Sequence, residues 1–135
     1  MSLPEDIYTL LSDESDLTDL VGTRISPYVR NASTQTFPAC VFEVSNTTIE
    51  SDSGGSVAHC FSDVTVTALG RTFIEADEVA ETILAAMTSW SEPDACVAMT
   101  TPTAVTRDQE MPYDGSQDLV YRTSIDFSID HGVAI

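Results

Sequence analysis

Between Leu119 and Asp130 the chain alternates almost without fault. Leu119, Tyr121, Thr123, Ile125, Phe127 and Ile129 occupy one set of positions, and Val120, Arg122, Ser124, Asp126, Ser128 and Asp130 the other. A period of two sends successive side chains to opposite faces of a strand. Such a strand buries one face and offers the other to water or to a partner. Whatever else the chain builds has to cover one side of this strand.

The segments available for that task are legible. Residues 37–50 (FPACVFEVSNTTIE) and 58–70 (AHCFSDVTVTALG) are β-rich, and in the second Cys60, Val64, Val66 and Ala68 share a face with Ser62 as the small exception. Ser51 to Ser56 forms the tip between them, with Gly54 and Gly55 supplying turn geometry. "ACVAM" followed by "TAVT" predicts a further long strand, interrupted at Pro102, and "RDQEMPYDGSQD" a second hairpin loop. Helical periodicity appears in two places. In the N-terminal "SLPEDIYTLLSD", Ser2 and Glu5 suit a capping box, Pro4 a first turn, and Ile7, Leu10 and Leu11 line one side. After a break at Ser12 to Ser15, "DLTDLVG" predicts a short helical turn ended by Gly22, and Pro27 biases "RISPYV" to extended chain. The longest helix is predicted from Thr72 and Glu75, a second capping box, with Phe73, Ala76, Ala80, Ile83, Leu84 and Met87 as its buried stripe. Glu75, Glu78 and Glu81 fall off that stripe, and Trp90 anchors the core or its rim. The expected fold is α+β: residues 1–135 as one domain, an antiparallel β-sheet with a long amphipathic helix and a short N-terminal helical segment packed on it.

The same residues narrow the chemistry. Asp52-Ser53-Gly54-Gly55 spells the tetrapeptide around a trypsin-like nucleophile, yet 135 residues are too few for two β-barrels. In that family the catalytic His also precedes the Ser, whereas His59 and His131 both follow Ser53. The tetrapeptide is hairpin chemistry. Carboxylates number 22 against 5 basic residues, a net charge of −17, and there is no lysine. A chain so charged cannot bind nucleic acid or an anionic membrane through a basic surface. No apolar run reaches the length of a membrane-spanning helix, and the acidic start has no basic region of a secretory leader. Cys40, Cys60 and Cys96 lie singly in apolar stretches and are expected to be buried thiols. Only His59 beside Cys60 approaches metal-ligand spacing, and neighbours on a strand face opposite ways. The acids Asp13, Glu14, Asp16 and Asp19, and the pair Asp114 and Asp118, lack the spacing of a Ca²⁺ loop and suit helix caps and turns. No cofactor is implied. Two function classes compete with a structural role: a small hydrolase, supported by those acids, and an acidic nucleic-acid mimic that occupies a basic partner, supported by the charge alone.

In "IYTLLSDESDLTDLVGTRISP", Asp16, Leu17, Leu20, Val21, Gly22, Arg24, Ile25 and Pro27 resemble the opening of the phage tail-completion or tail-terminator family. "FPACVFEVSNTT" resembles its first long strand, "VTVTALGRTFIEADEVAETI" its strand and helix, and "VYRTSIDFSID" its closing strand. The ordered set spans nearly the whole chain. Relatives commonly carry a mixed-charge surface, and this chain departs from them in having no lysine.

The resemblance implies a structural virion protein of the tail and neck, assembled in the host cytoplasm. It implies a ring of identical subunits, typically six-fold, on the head-proximal end of a long tail tube. Its partners would be itself, the tail tube protein and a head-completion protein, with DNA passing through unbound and no membrane involved. A ring requires a heterologous interface in which one patch meets a different patch on the neighbour. Candidate contacts are edge strands and the two loops: Ser51, Asp52, Ser53, Gly54, Gly55 and Ser56, then Arg107, Asp108, Tyr113 and Asp114. Arg122, Asp126 and Asp130, on the wet side of the last strand, are candidates for the lumen wall. The acids are spread along the whole chain, and a global bias points to a high-salt cytoplasm, with repulsion of DNA in the lumen as a secondary benefit.

Overall fold

The computed structural model describes residues 3–27, 37–51, 57–90, 97–110 and 119–131. Helix α1 (Leu3–Asp13) is followed by α2 (Ser15–Val21), strands β1 (Ile25–Pro27), β2 (Ala39–Ser51) and β3 (Val57–Gly70), helix α3 (Phe73–Thr88), and strands β4 (Val97–Glu110) and β5 (Val120–His131). The strands form one sheet in the order β1-β2-β3-β5-β4. All neighbours are antiparallel except β1 and β2, which run parallel from Ile25↔Cys40 to Pro27↔Phe42. The fold is therefore α+β with a mixed sheet. The parallel pair follows from the Arg24 to Pro27 segment docking beside Cys40, whose amide donates to the Arg24 carbonyl at 2.9 Å. Arg24 Nε donates in turn to the Pro38 carbonyl at 2.8 Å.

Local signals place the helices. Thr72 Oγ1 accepts from the Glu75 amide at 3.1 Å, and the Glu75 carboxylate accepts from the Arg71 amide at 3.1 Å. One first-turn donor of α3 and the amide just ahead of its N-cap are thus met. Gly22 ends α2 with φ at +60°, a conformation that side chains with a Cβ rarely adopt. Gly70 ends β3 where a Cβ would stand 2.9 Å from the Ala76 amide nitrogen, so only glycine lets the strand turn this closely into α3.

All three helices contribute to one main core, on one face of the sheet. Leu3, Ile7 and Leu11 from α1, Leu17 and Val21 from α2, and Val79, Ile83 and Met87 from α3 meet Phe42, Val64, Val66, Ile125, Phe127 and Ile129. Burying a side chain of this size is worth about 1.5–3 kcal/mol, so this layer dominates the stability. Trp90 closes it, 7% exposed. The buried stripe of α3 also includes Val79 and Ala86, while Phe73 and Leu84 are only half-buried. On the opposite face the expected alternation fails at one end. Val120 is buried there, with Leu69 and Ala39 and with Phe37 and Val41 packed against them, and Arg71 lies over the Phe37 ring at 4.5 Å. Alternation assigns a face, but it cannot reveal that a second small cluster covers part of it.

Candidate assembly surface

Away from that cluster, the helix-free face of the sheet is polar. Thr65 Oγ1 donates to Asp126 Oδ1 at 2.7 Å, and Thr67 and Ser124 share a hydroxyl hydrogen bond of 3.0 Å, both across β3 and β5. Arg122 clasps Asp108 on β4 with two bonds, Nε to Oδ1 at 2.7 Å and Nη2 to Oδ2 at 2.8 Å. Glu43, Asp63, Asp126 and Asp130 line the same face, as the register requires. Arg122, Asp126 and Asp130 thus lie together on one surface. It is a hydroxyl and carboxylate surface, with one of its acids neutralised by an arginine and others left to repel anions.

The second feature is the edge. Among the described strands β4 pairs only with β5, and from Thr101 to Gln109 every residue is exposed, whichever face it points to. Met99 is 62% and Val105 50% exposed. From Val97 to Thr106 this edge carries no charged side chain, although the chain as a whole has a net charge of −17. Long exposed edges in monomeric proteins are usually guarded by charge, by bulges or by proline. Here Pro102 and the register shift between Pro102 and Ala104 interrupt the edge at one point, with exposed residues on either side.

On the helix side, Arg107 reaches from β4 to Asp77 on α3, Nε to Oδ1 at 3.1 Å. Thr123 Oγ1 donates to the same oxygen at 2.7 Å. The Thr123 hydrogen bond, opposed in part by burial and helped by Arg107, holds the Asp77 carboxyl below the usual carboxylate range.

Residues 5–129 match the family model described as "Tail completion protein gp17". The chain belongs to this tail-completion family. A chain of the solved structure titled "Virion of native gene transfer agent (GTA) particle" has the same fold, with a TM-score of 0.76 at 15% identity over 96% of this chain and 94% of that one. No curated protein sequence matches the chain. The protein is a tail structural protein of the virion, located at the tail and neck. None of the described helices is long and apolar enough to cross a membrane.

In this tail-completion protein the residues singled out as subunit contacts separate into two groups. Arg107 and Asp108 belong to β4 itself, which continues to Glu110, so the predicted loop begins later than the sequence suggests. Both are held by partners within the subunit, Asp77 and Arg122, across the helix–sheet and strand–strand boundaries. Ser51 ends β2. Asp52, Ser53, Gly54, Gly55, Ser56, Tyr113 and Asp114 lie outside the described residues, as do Cys96 and Ser2. Asp13, Glu14 and Asp16 sit at the junction of α1 and α2, where Glu14 is the residue preceding α2, and Asp19 lies further along α2.

Two polar groups escaped the sequence reading. Ser62 Oγ lies 2.8 Å from His131 Nε2 and 2.8 Å from Thr47 Oγ1. This is a serine–histidine pair, but Ser62 and His131 are each only 1% exposed. No substrate reaches it, and the pair is part of a buried polar network rather than an exposed reactive site. A separation of 69 residues hides the pair from any local motif. Cys40 and Cys60 are buried free thiols, and burial pushes the Cys40 thiol up to about 12.

Proposed function

We propose that copies of this protein form a closed ring, six-fold by the family resemblance, on the head-proximal end of a long tail tube. The ring ends tube polymerisation and presents its other side to a head-completion protein. Membership of the tail-completion family carries this reading, and the one-sided sheet supports it. Helices insulate one face, while the other keeps Asp126, Asp130 and Glu43 at its surface. Turned to the lumen, that face repels the phosphates of passing DNA and gives the genome nothing to hold. The distributed acidity has a broader cause in our reading, adaptation of the particle to a salt-rich cytoplasm, where a dense carboxylate surface stays hydrated.

Imaging of assembled particles carrying an epitope on this chain tests the placement. Label confined to the head-proximal end of the tail supports the terminator ring. Label along the tube or at the distal tip contradicts it.

A further inference from the structure

The ring reading leaves open where one subunit meets the next, and the sheet supplies an answer that rests on that reading. Two stretches of sheet edge are left over when the described strands have paired. One is β4. The other is the distal half of β2: β1 covers β2 only from Cys40 to Phe42, and no described strand flanks Ser45 to Ile49.

These stretches match in four respects. Their charge is alike, since Val97 to Thr106 and Val44 to Ile49 carry no ionisable side chain. Copies with a net charge of −17 repel wherever acids face acids, so uncharged edges are where two copies can approach at least cost. Their level is alike. Asn46 pairs with Asp63, Asp63 with Ser128 and Ser128 with Thr101, so Asn46 and Thr101 stand on one row at opposite edges of the sheet. Ile49, Cys60, His131 and Val97 form a second such row. At the other end, the β1-covered rows from Cys40 to Phe42 lie level with Arg107 to Val105, which leaves Val97 to Pro102 level with the open stretch of β2. Their bends agree as well, because the register shifts at Val44/Asn46 and Pro102/Ala104 fall within one row of each other. Finally, their directions oppose. Three successive antiparallel pairings make β4 run against β2. A neighbour placed beside β4 in the same orientation therefore offers β2 in antiparallel sense, with both helix-free faces on the same side.

We propose that β4 of one subunit pairs with the distal half of β2 of the next copy of this chain, continuing the sheet from subunit to subunit. Different edges meet, so the contact is heterologous and can close a ring, whereas β4 meeting β4 would stop at a dimer. Met99 on one edge and Ile49, 49% exposed, on the other lose water in the contact.

The double variant T101C/N46C tests this. Within one subunit the two positions are three strand spacings apart, roughly 14 Å, too far for a disulfide. Both are exposed, and the variant should melt within a few degrees of wild type. The purified variant and particles carrying it are mildly oxidised and run on a non-reducing gel, and sedimentation with tails is scored separately. The proposal predicts a ladder of linked subunits from the double variant and only monomer from either single variant. Dimers from T101C alone, or the absence of a ladder in both samples, overturns it. If the chain sediments with tails while the ladder is missing, the edge pairing fails and the ring reading survives. If the ladder forms without tail association, the pairing survives and the ring's placement fails.

Discussion

Thr123 and Asp77 meet across the interface between β5 and α3, with the Thr123 hydroxyl donating to Asp77 Oδ1 at 2.7 Å. Arg107 approaches the same carboxylate from β4, so one acid side chain joins the long helix to two strands.

That geometry has a consequence for acid stability. The Asp77 carboxyl is held below its ordinary 3.8, first by Thr123 and then by Arg107. A depressed folded-state value means that the stabilisation is complete above about pH 4 and is lost as pH falls through the folded value. Asp77 is 36% exposed at its side chain, which weakens its ion pair with Arg107. Asp77→Asn should therefore cost about 1 kcal/mol at pH 7 and flatten the fall of Tm below pH 4. Calorimetric melts from pH 2 to 7 check this, and parallel curves for variant and wild type would contradict it.

How much of this was readable beforehand depends on the range of the interaction. Thr72 with Glu75, Gly22 after α2, and the alternation along β5 are local, and each specifies its element within a few residues. The burial of Val120 against Leu69 and Ala39 depends on strands far apart in sequence, and the parallel seat of β1 on β2 is a pairing between segments that no local pattern marks. The exposure of β4 is subtler still. Its sequence alternates weakly and is rich in threonine, which suits either a covered strand or an open edge. Only the strand order shows that β4 is an edge. Of the candidate surface, the polar face with Arg122, Asp126 and Asp130 was legible from periodicity, while the Asp77 and Asp108 partnerships were not.

The thiols give a second expected outcome. Cys40 is fully buried and its thiol is pushed up to about 12, so almost no thiolate exists at pH 8. Cys40 and Cys60 should resist alkylation in the native protein and react promptly in denaturant, as read by mass spectrometry of the labelled peptides. Fast native labelling of either one would contradict the core described above.

The serine–histidine pair should be inert. Neither Ser62, buried, nor Ser53, in the predicted hairpin tip, should take a fluorophosphonate label. Ser62→Ala removes a partner from a buried imidazole and should cost about 1–3 kcal/mol of stability, measured by denaturant titration. Covalent labelling of either serine would reopen the hydrolase reading.

Salt separates the two accounts of the acidity. Screening lengths fall from about 10 Å at 0.1 M to about 3 Å at 1 M, so repulsion among the carboxylates weakens over that range. Adaptation to a salt-rich cytoplasm predicts a Tm that rises steadily from about 0.1 to about 3 M KCl. A flat or falling Tm would leave lumen repulsion as the reason for the charge.

The terminator role itself is tested by removing the gene and measuring tails by electron microscopy. Without the protein, heads should be complete while tails show a broad spread of lengths or stay unjoined to heads, and supplying the protein in trans should restore joined tails of uniform length. Tails of normal length joined to heads in the deletion strain would contradict the account.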